Sequence, residues 1–267
     1  MKDTRWTGSV NRLLWSSALL AVAAAFVTLL SPGGLGSADP VRVETGPSAD
    51  VYRWVHEILG EAPSWLDVAS DVSLVLIGLA FVLVGWSALR RRDAYGVAGT
   101  AVTGAGTVAA YAISEGVKLV VDEERPCRVL VAIPDCPPLG DWSFPSNHAT
   151  LAAGLAAGLV VLRPRLAALA VPMGVVAALL RVLAGAHYPH DVLAGMILGG
   201  CVAVAAWLLL TPVAARLASP LLVKTTRFAR PGSGDGHAPT PDHRGAAQPG
   251  SGGFPGMGDD RTSGPWR

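Results

Sequence analysis

Three short groups of ionisable residues stand at the ends of apolar stretches: Lys118 with Arg125-Pro126, Pro145-Ser146-Asn147-His148, and Arg181 with His187 and Asp191. Two imidazoles, one carboxylate and three permanent cations can hold a phosphoryl group and move it. Arginine offers a planar fork to phosphate oxygens and lysine a point charge. Ionisable groups at membrane depth are costly, which makes them candidates for function.

Each group also has an ordinary reading. Lys118 and Arg125 share a helix face only if the helix passes Val121, and Pro126 argues that it ends nearby. Taken alone they are cations reaching for water at a membrane edge. Ser146 or Asn147 can cap the helix that follows. The same helix start can also receive an anion, with His148 at its mouth as a proton donor or acceptor. His187 and Asp191 are spaced i, i+4, and Pro189 suits a first helical turn. A carboxylate on one ring nitrogen leaves the other as nucleophile or base, whereas an Asp at a helix start also simply complements the dipole.

His190 is expected to turn away from His187 as a surface or interfacial residue, and Asp122, Glu123, Glu124 and Asp141 read mostly as a solvated acidic stretch. A zinc site from His148, His187, His190 and Asp191 is conceivable, but the nearby cations oppose it. Cys201 reads as a small buried apolar residue. Cys127 and Cys136 share one polar loop and can pair if that loop is extracytoplasmic, although spacing leaves the geometry open.

The elements that must position these residues follow from composition. The 267-residue chain is 15% charged and 51% hydrophobic, with mean hydropathy +0.43. Soluble domains carry about 25% charged residues, so the expectation is an all-α polytopic membrane bundle. A net charge of +1 gives no field to attract nucleic acid. Runs long enough to cross a bilayer are read at 13–30, 68–89, 95–121, 148–162, 166–184 and 191–210, six in all. The first resembles a cleavable leader, with Gly36-Ser37-Ala38 beyond it, but its apolar run is too long, and an uncleaved span is expected.

Arginine and lysine clusters before span one, between spans two and three, between four and five, and after span six fall on one side, expected to be cytoplasmic. Lys118, Arg125, Arg128 and Arg181 break this bias on the opposite side, as anion-binding residues would. Residues 51–66, with Trp54 and Trp65, read as an interfacial helix pair or as an ordinary loop. The expected organisation is a cytoplasmic 1–12, a six-span domain over 13–215 and a disordered cytoplasmic tail over 216–267, whose part from Pro231 is rich in Gly, Pro, Ser and Asp. Gly154/Gly158 and Gly195/Gly199 have the spacing of close helix contacts, in a sequence where Gly and Ala are abundant throughout.

Lys118-x6-Arg125-Pro126, Pro145-Ser146-Asn147-His148 and Arg181-x5-His187-x3-Asp191, in that order, resemble the type 2 phosphatidic acid phosphatase superfamily, related to vanadium haloperoxidases. Asn147 stands where that pattern has Gly, and Leu180 where it has Ser before the Arg. The resemblance implies a lipid phosphate or diphosphate as substrate at a membrane, and no metal or other cofactor. It implies His187 as the nucleophile, Asp191 as its support, and His148 as the proton donor and later the base. Lys118, Arg125, Ser146, Asn147 and Arg181 would bind phosphate. Polyprenyl diphosphates or polyprenyl-phosphoryl sugar phosphates come first, then phosphatidic acid or phosphatidylglycerol phosphate. An anionic-lipid transporter without turnover would use the same cations, but has no need of the His187–Asp191 spacing. The six-span layout brings all three motifs to the extracytoplasmic face. Oligomeric state is not legible in the sequence.

Overall fold

The computed structural model describes residues 3–36, 39–60, 63–133 and 136–228, with side chains described within 8–220. The tail expected beyond Pro231 lies outside the described residues. The helices are α1 (Asp3–Leu30), α2 (Pro47–Leu59), α3 (Trp65–Arg90), α4 (Ala94–Val121), α5 (Pro126–Val129), α6 (Asn147–Leu162), α7 (Ala167–Leu183) and α8 (Pro189–Phe228). A 3-10 turn, Pro164–Leu166, precedes α7. Among the described residues there is no strand, only an isolated bridge between Val41 and Glu123. Five helices are long and apolar enough to cross a membrane, and α6 is a shorter apolar helix. The chain is an all-helical, multi-pass membrane protein.

Two boundaries differ from the sequence reading, and a third agrees with it and decides an alternative it left open. Helix α8 continues to Phe228, so 216–228, expected to begin the disordered tail, is helical. Only one helix, α2, lies between α1 and α3, and Trp65 opens α3 rather than closing an interfacial pair. Helix α4 stops at Val121, where Asp122 takes a left-handed conformation (φ 47°) and donates its N–H to the Lys118 carbonyl. Lys118 and Arg125 therefore do not share a helix.

Apolar surface is distributed as a bilayer requires. Val72, Val75, Leu79, Val82 and Trp86 of α3 are exposed, and this helix has no polar face to turn toward water. Helix α6 is the inner one. Its Ala149, Ala152, Ala153, Gly154, Ala156 and Gly158 are buried, and such small side chains let neighbouring backbones approach. At 16 residues it spans about 24 Å, short of a full bilayer core, which suits a helix whose start is recessed.

Helices α6 and α8 approach most closely at two glycines. A Cβ on Gly195 would collide with the Ser146 carbonyl, and one on Gly199 with the Thr150 carbonyl. This contact sets the Ser146–His148 turn beside the start of α8, where Ser146 N–H donates to the Asp191 carbonyl at 3.1 Å. Helices α3 and α4 form a fork. They meet near their Arg90–Asp93 connection, through Gly85 against Thr100 and Gly104 against Phe81. Towards the other end α6 lies between them, with Leu155 near Gly78 and Thr107 against Gly154.

Segments on the motif side tie the helix tips together. Val41 N–H donates to Asp122 O (3.0 Å), Glu124 N–H to Val41 O (2.9 Å) and Ser143 N–H to Glu123 O (2.8 Å). Tyr52 of α2 donates to Gly185 O at 3.2 Å, and Tyr188 donates to Val43 O at 2.9 Å. Cys127 and Cys136 are joined by a disulfide with Cα atoms 5.9 Å apart.

Candidate active site

His187 lies in the turn between α7 and α8. The turn closes through Gly185 at φ 80°, a conformation that glycine adopts without a steric cost, and both Ala186 N–H and His187 N–H donate to Arg181 O. The His187 ring is buried, with Arg125 Nη1 3.2 Å from Nε2 and Asp191 Oδ2 3.3 Å from Nδ1. A guanidinium can only donate, so Nε2 carries the lone pair and the ring proton sits on Nδ1, towards Asp191. Burial, then the Arg125 charge, hold the His187 pKa down to about 3, against the pull of Asp191. At neutral pH the ring is uncharged, with its free lone pair among cations.

Asp191 is fully buried and more heavily supported than the i, i+4 spacing alone foretold. Its Oδ2 accepts from Ser143 Oγ at 2.5 Å and from Tyr188 N–H at 2.9 Å. Ser143 was not singled out in the sequence. It lies just outside the second motif and carries no spacing signal of its own.

The expected phosphate-binding cations are all buried, and each faces a carboxylate. Arg125 Nη2 donates to Asp141 Oδ1 at 2.9 Å. Lys118 Nζ lies 3.5 Å from Glu115 and 3.5 Å from Asp141. Arg181 donates to Asp67 at 2.6 Å. Burial raises the Asp141 pKa, but Arg125 and Lys118 outweigh it and hold the group below the usual carboxylate range. His148 Nε2 is 2.8 Å from Asp71, and Arg181 lies within electrostatic reach of both histidines. Asp67 and Asp71 sit on one face of α3, four residues apart, and are not among the residues singled out from the sequence.

Within the three motifs, two buried donors have no partner among the described residues: Ser146 Oγ and Arg181 Nε. Ser146 occupies the N-cap position of α6 without making a side-chain cap, so the capping interpretation fails for it. Such orphaned donors are costly unless an acceptor satisfies them. Asn147 is the first residue of α6. Its side chain accepts from Ser114 at 2.8 Å and donates to Glu115 at 2.6 Å. It has no positive φ, so replacing the pattern's Gly does not require unusual backbone tolerance. Leu180 packs with Leu66 and Ala184.

Two expectations are corrected. Glu123 is fully buried rather than solvated; burial, then the Asp191 carboxylate, push its pKa above the usual range. His190 is not a surface residue. Its side chain is 12% exposed, with Nε2 3.1 Å from Glu123 Oε1 and 3.2 Å from Asp191 Oδ1. The zinc set of His148, His187, His190 and Asp191 does not assemble, since among the described residues the cluster spaced to share one ion is Glu123, His190 and Asp191. Cys201 carries a free thiol and is only partly buried.

Comparison with known proteins converges on this region. The sequence profile of the PAP2 superfamily matches residues 99–213. Decaprenylphosphoryl-5-phosphoribose phosphatase of Mycobacterium tuberculosis is 39% identical over 126 residues, 46% of this chain and 66% of that protein, just under two thirds of its length. Lipid A 1-phosphatase of Rhizobium etli is 40% identical over 58 residues, 22% of this chain and 25% of that protein. The crystal structure of a transmembrane PAP2 type phosphatidylglycerolphosphate phosphatase from Bacillus subtilis aligns over 84% of this chain and 96% of that one, at 17% identity and a TM-score of 0.31, too loose an overlap to bear on the fold. The profile match spans all three motifs and the four helices that carry them, so residues 99–213 of this chain are similar to the PAP2 superfamily.

Proposed function

We propose that the protein is a metal-independent membrane phosphatase acting on a lipid phosphate or diphosphate through a phosphohistidine. The observation that carries this reading is the His187 ring, with Nδ1 towards Asp191 and its lone pair on Nε2 beside Arg125. Ser146 Oγ and Arg181 Nε, unpartnered donors in the same motifs, support it.

Phosphate oxygens take over the donors that now face Asp141 and Asp67, and satisfy Ser146. His187 Nε2 attacks phosphorus, the phosphorus–oxygen bond to the lipid breaks, and His148 gives its proton to the leaving oxygen. His148 then takes a proton from water, whose oxygen attacks phosphorus and releases His187. Asp71 stabilises the protonated His148, much as Asp191 orients His187. Fixed donors around the phosphoryl group supply the electrostatic stabilisation such transfer needs.

A lipid chain can extend from this site into the bilayer over the exposed apolar surface of α3 and α4, which carries Val75 and Val108. The positive-inside pattern supports a site on the extracytoplasmic side. Among substrates, a polyprenyl-phosphoryl sugar phosphate ranks first. The name of the mycobacterial relative favours it, and the rim carboxylates Asp67, Asp71, Glu115 and Asp141 can accept hydrogen bonds from sugar hydroxyls. Polyprenyl diphosphate follows, then phosphatidic acid.

The test is phosphate release by purified protein in chelator across these three lipids. His187→Ala is expected to lower the rate by on the order of 10⁴-fold or more. Full activity in that variant would eliminate the assigned nucleophile, and lipid movement without phosphate release would favour a transporter.

A further inference from the structure

In the buried cluster of Glu123, His190 and Asp191, the first two residues have no part in the reaction described above. They lie on the far side of Asp191 from His187. The inner oxygen of Asp191, Oδ2, is taken by His187, Ser143 and Tyr188 N–H. The outer oxygen, Oδ1, has no hydrogen bond of good geometry, and neither does Glu123 Oε1. Both lie close to one atom, His190 Nε2, at 3.2 and 3.1 Å, and that nitrogen hydrogen-bonds the other Glu123 oxygen, Oε2, at 3.3 Å. The His190 ring is held in place by stacking against Tyr188 (centroids 5.4 Å apart) and Phe144 (5.9 Å). Its backbone N–H donates to Ser48 Oγ at 3.2 Å. The Glu123 backbone is held as well, by the Val41 bridge and by Ser143 N–H.

Two buried carboxylates at this distance repel each other strongly unless a proton or a cation lies between them. The imidazole stands there, in a ring orientation that two aromatic neighbours enforce. A divalent ion would need the same three atoms and a further ligand, whereas a proton on Nε2 serves both oxygens with the atoms already present.

We infer that Glu123 and His190 are positioning residues for the reaction, sharing one proton with Asp191 so that its inner oxygen stays ionised and aimed at His187. The chain Glu123–His190–Asp191–His187 then runs unbroken from the backbone bridge at Val41 to the nucleophile. Its effect falls on the chemical step and not on lipid binding, because neither residue faces the phosphate-binding donors. This inference rests on the proposed role of His187.

The experiment compares kcat and KM of the full-length protein in detergent for phosphate release. The probes are farnesyl diphosphate and dioctanoyl phosphatidic acid. Glu123→Gln and His190→Gln are each expected to lower kcat about 10–100-fold, the range seen when the outer partner of an oriented group is removed, with KM within twofold. The double variant should lose little more than either single one, since both act through one oxygen. His190→Arg, a planar cation that can stack in the same place, should recover much of the loss. Wild-type kcat in both single variants, a loss confined to KM, or strictly additive losses would overturn the inference. Loss of wild-type activity in chelator with recovery on zinc would also overturn it, by making the cluster a metal site. His187→Ala separates the two levels: if it stays active, the parent reading fails, whereas a dead His187→Ala beside fully active Glu123 and His190 variants defeats this inference alone. A wild type inactive on both probes and on a polyprenyl-phosphoryl sugar phosphate overturns both.

Discussion

The His187 side chain shows how far surroundings can reset an ordinary group. Its ring would be half-protonated near pH 6.5 in an unfolded chain, whereas burial and Arg125 hold it neutral down to about pH 3. The unfolded state therefore binds more protons than the folded state between these values, and this group's contribution to stability falls as pH is lowered from about 6.5 towards 3. Melting temperatures in detergent should drop across that window, and the slope should flatten in His187→Gln; an unchanged slope would contradict the assigned environment. Asp191→Asn keeps the shape but removes the charge and turns one of the two acceptor positions into a donor, so the Nδ1–H tautomer is no longer enforced, and kcat should fall by on the order of 10⁴-fold, as for an analogous triad carboxylate. Asp71→Asn acts on the other histidine. Its effect should be large for a lipid alkoxide leaving group and small for p-nitrophenyl phosphate, whose leaving oxygen needs no proton. Equal losses on both substrates would argue against His148 as the acid.

Among elements, the α6–α8 contact decides whether the motifs meet. The second motif opens α6 and the third opens α8, and their separation is set by how closely Gly195 and Gly199 let the backbones pass. Gly199→Ala places a methyl against the Thr150 carbonyl, and an overpacked contact of this kind costs about 1–3 kcal/mol. Lower thermal stability is expected together with reduced activity. Gly200→Ala is the control, because nothing lies within 4 Å of a Cβ at that position. If both substitutions behave alike, close approach is not what aligns the site. The glycine spacing was legible in the sequence, but its meaning was not, since only the structure shows that Gly195 faces the Ser146 carbonyl and Gly199 the Thr150 carbonyl further along α6.

For the molecule as a whole, function depends on which leaflet the helix tips face. Arg90, Arg91 and Arg92 at one end and the motif residues at the other define the two sides, and the proposed orientation puts the arginine end in the cytoplasm. Cysteine introduced at Glu44, exposed beside the site, should react with an impermeant thiol reagent in intact cells. Cysteine at Arg91 should react only after permeabilisation. The reverse pattern would place the site in the cytoplasm and exclude an outer-leaflet lipid as substrate.

The sequence by itself determined the membrane-spanning helices and the three motifs, because length, hydropathy and residue type are local properties that survive without contacts. Helix ends were less secure. The left-handed Asp122 and the helical 216–228 depend on what the chain meets after each span. The partners of the site were decided by tertiary structure alone. Asp67 and Asp71 are 114 and 77 residues from Arg181 and His148, and Ser143 is 48 from Asp191. Glu123 and His190 looked like solvated charges, and only the folding of loop 122–144 against the start of α8 buries them together. An isolated carboxylate in a sequence does not reveal whether water or a cation will face it; that is fixed when helices distant in the chain pack side by side.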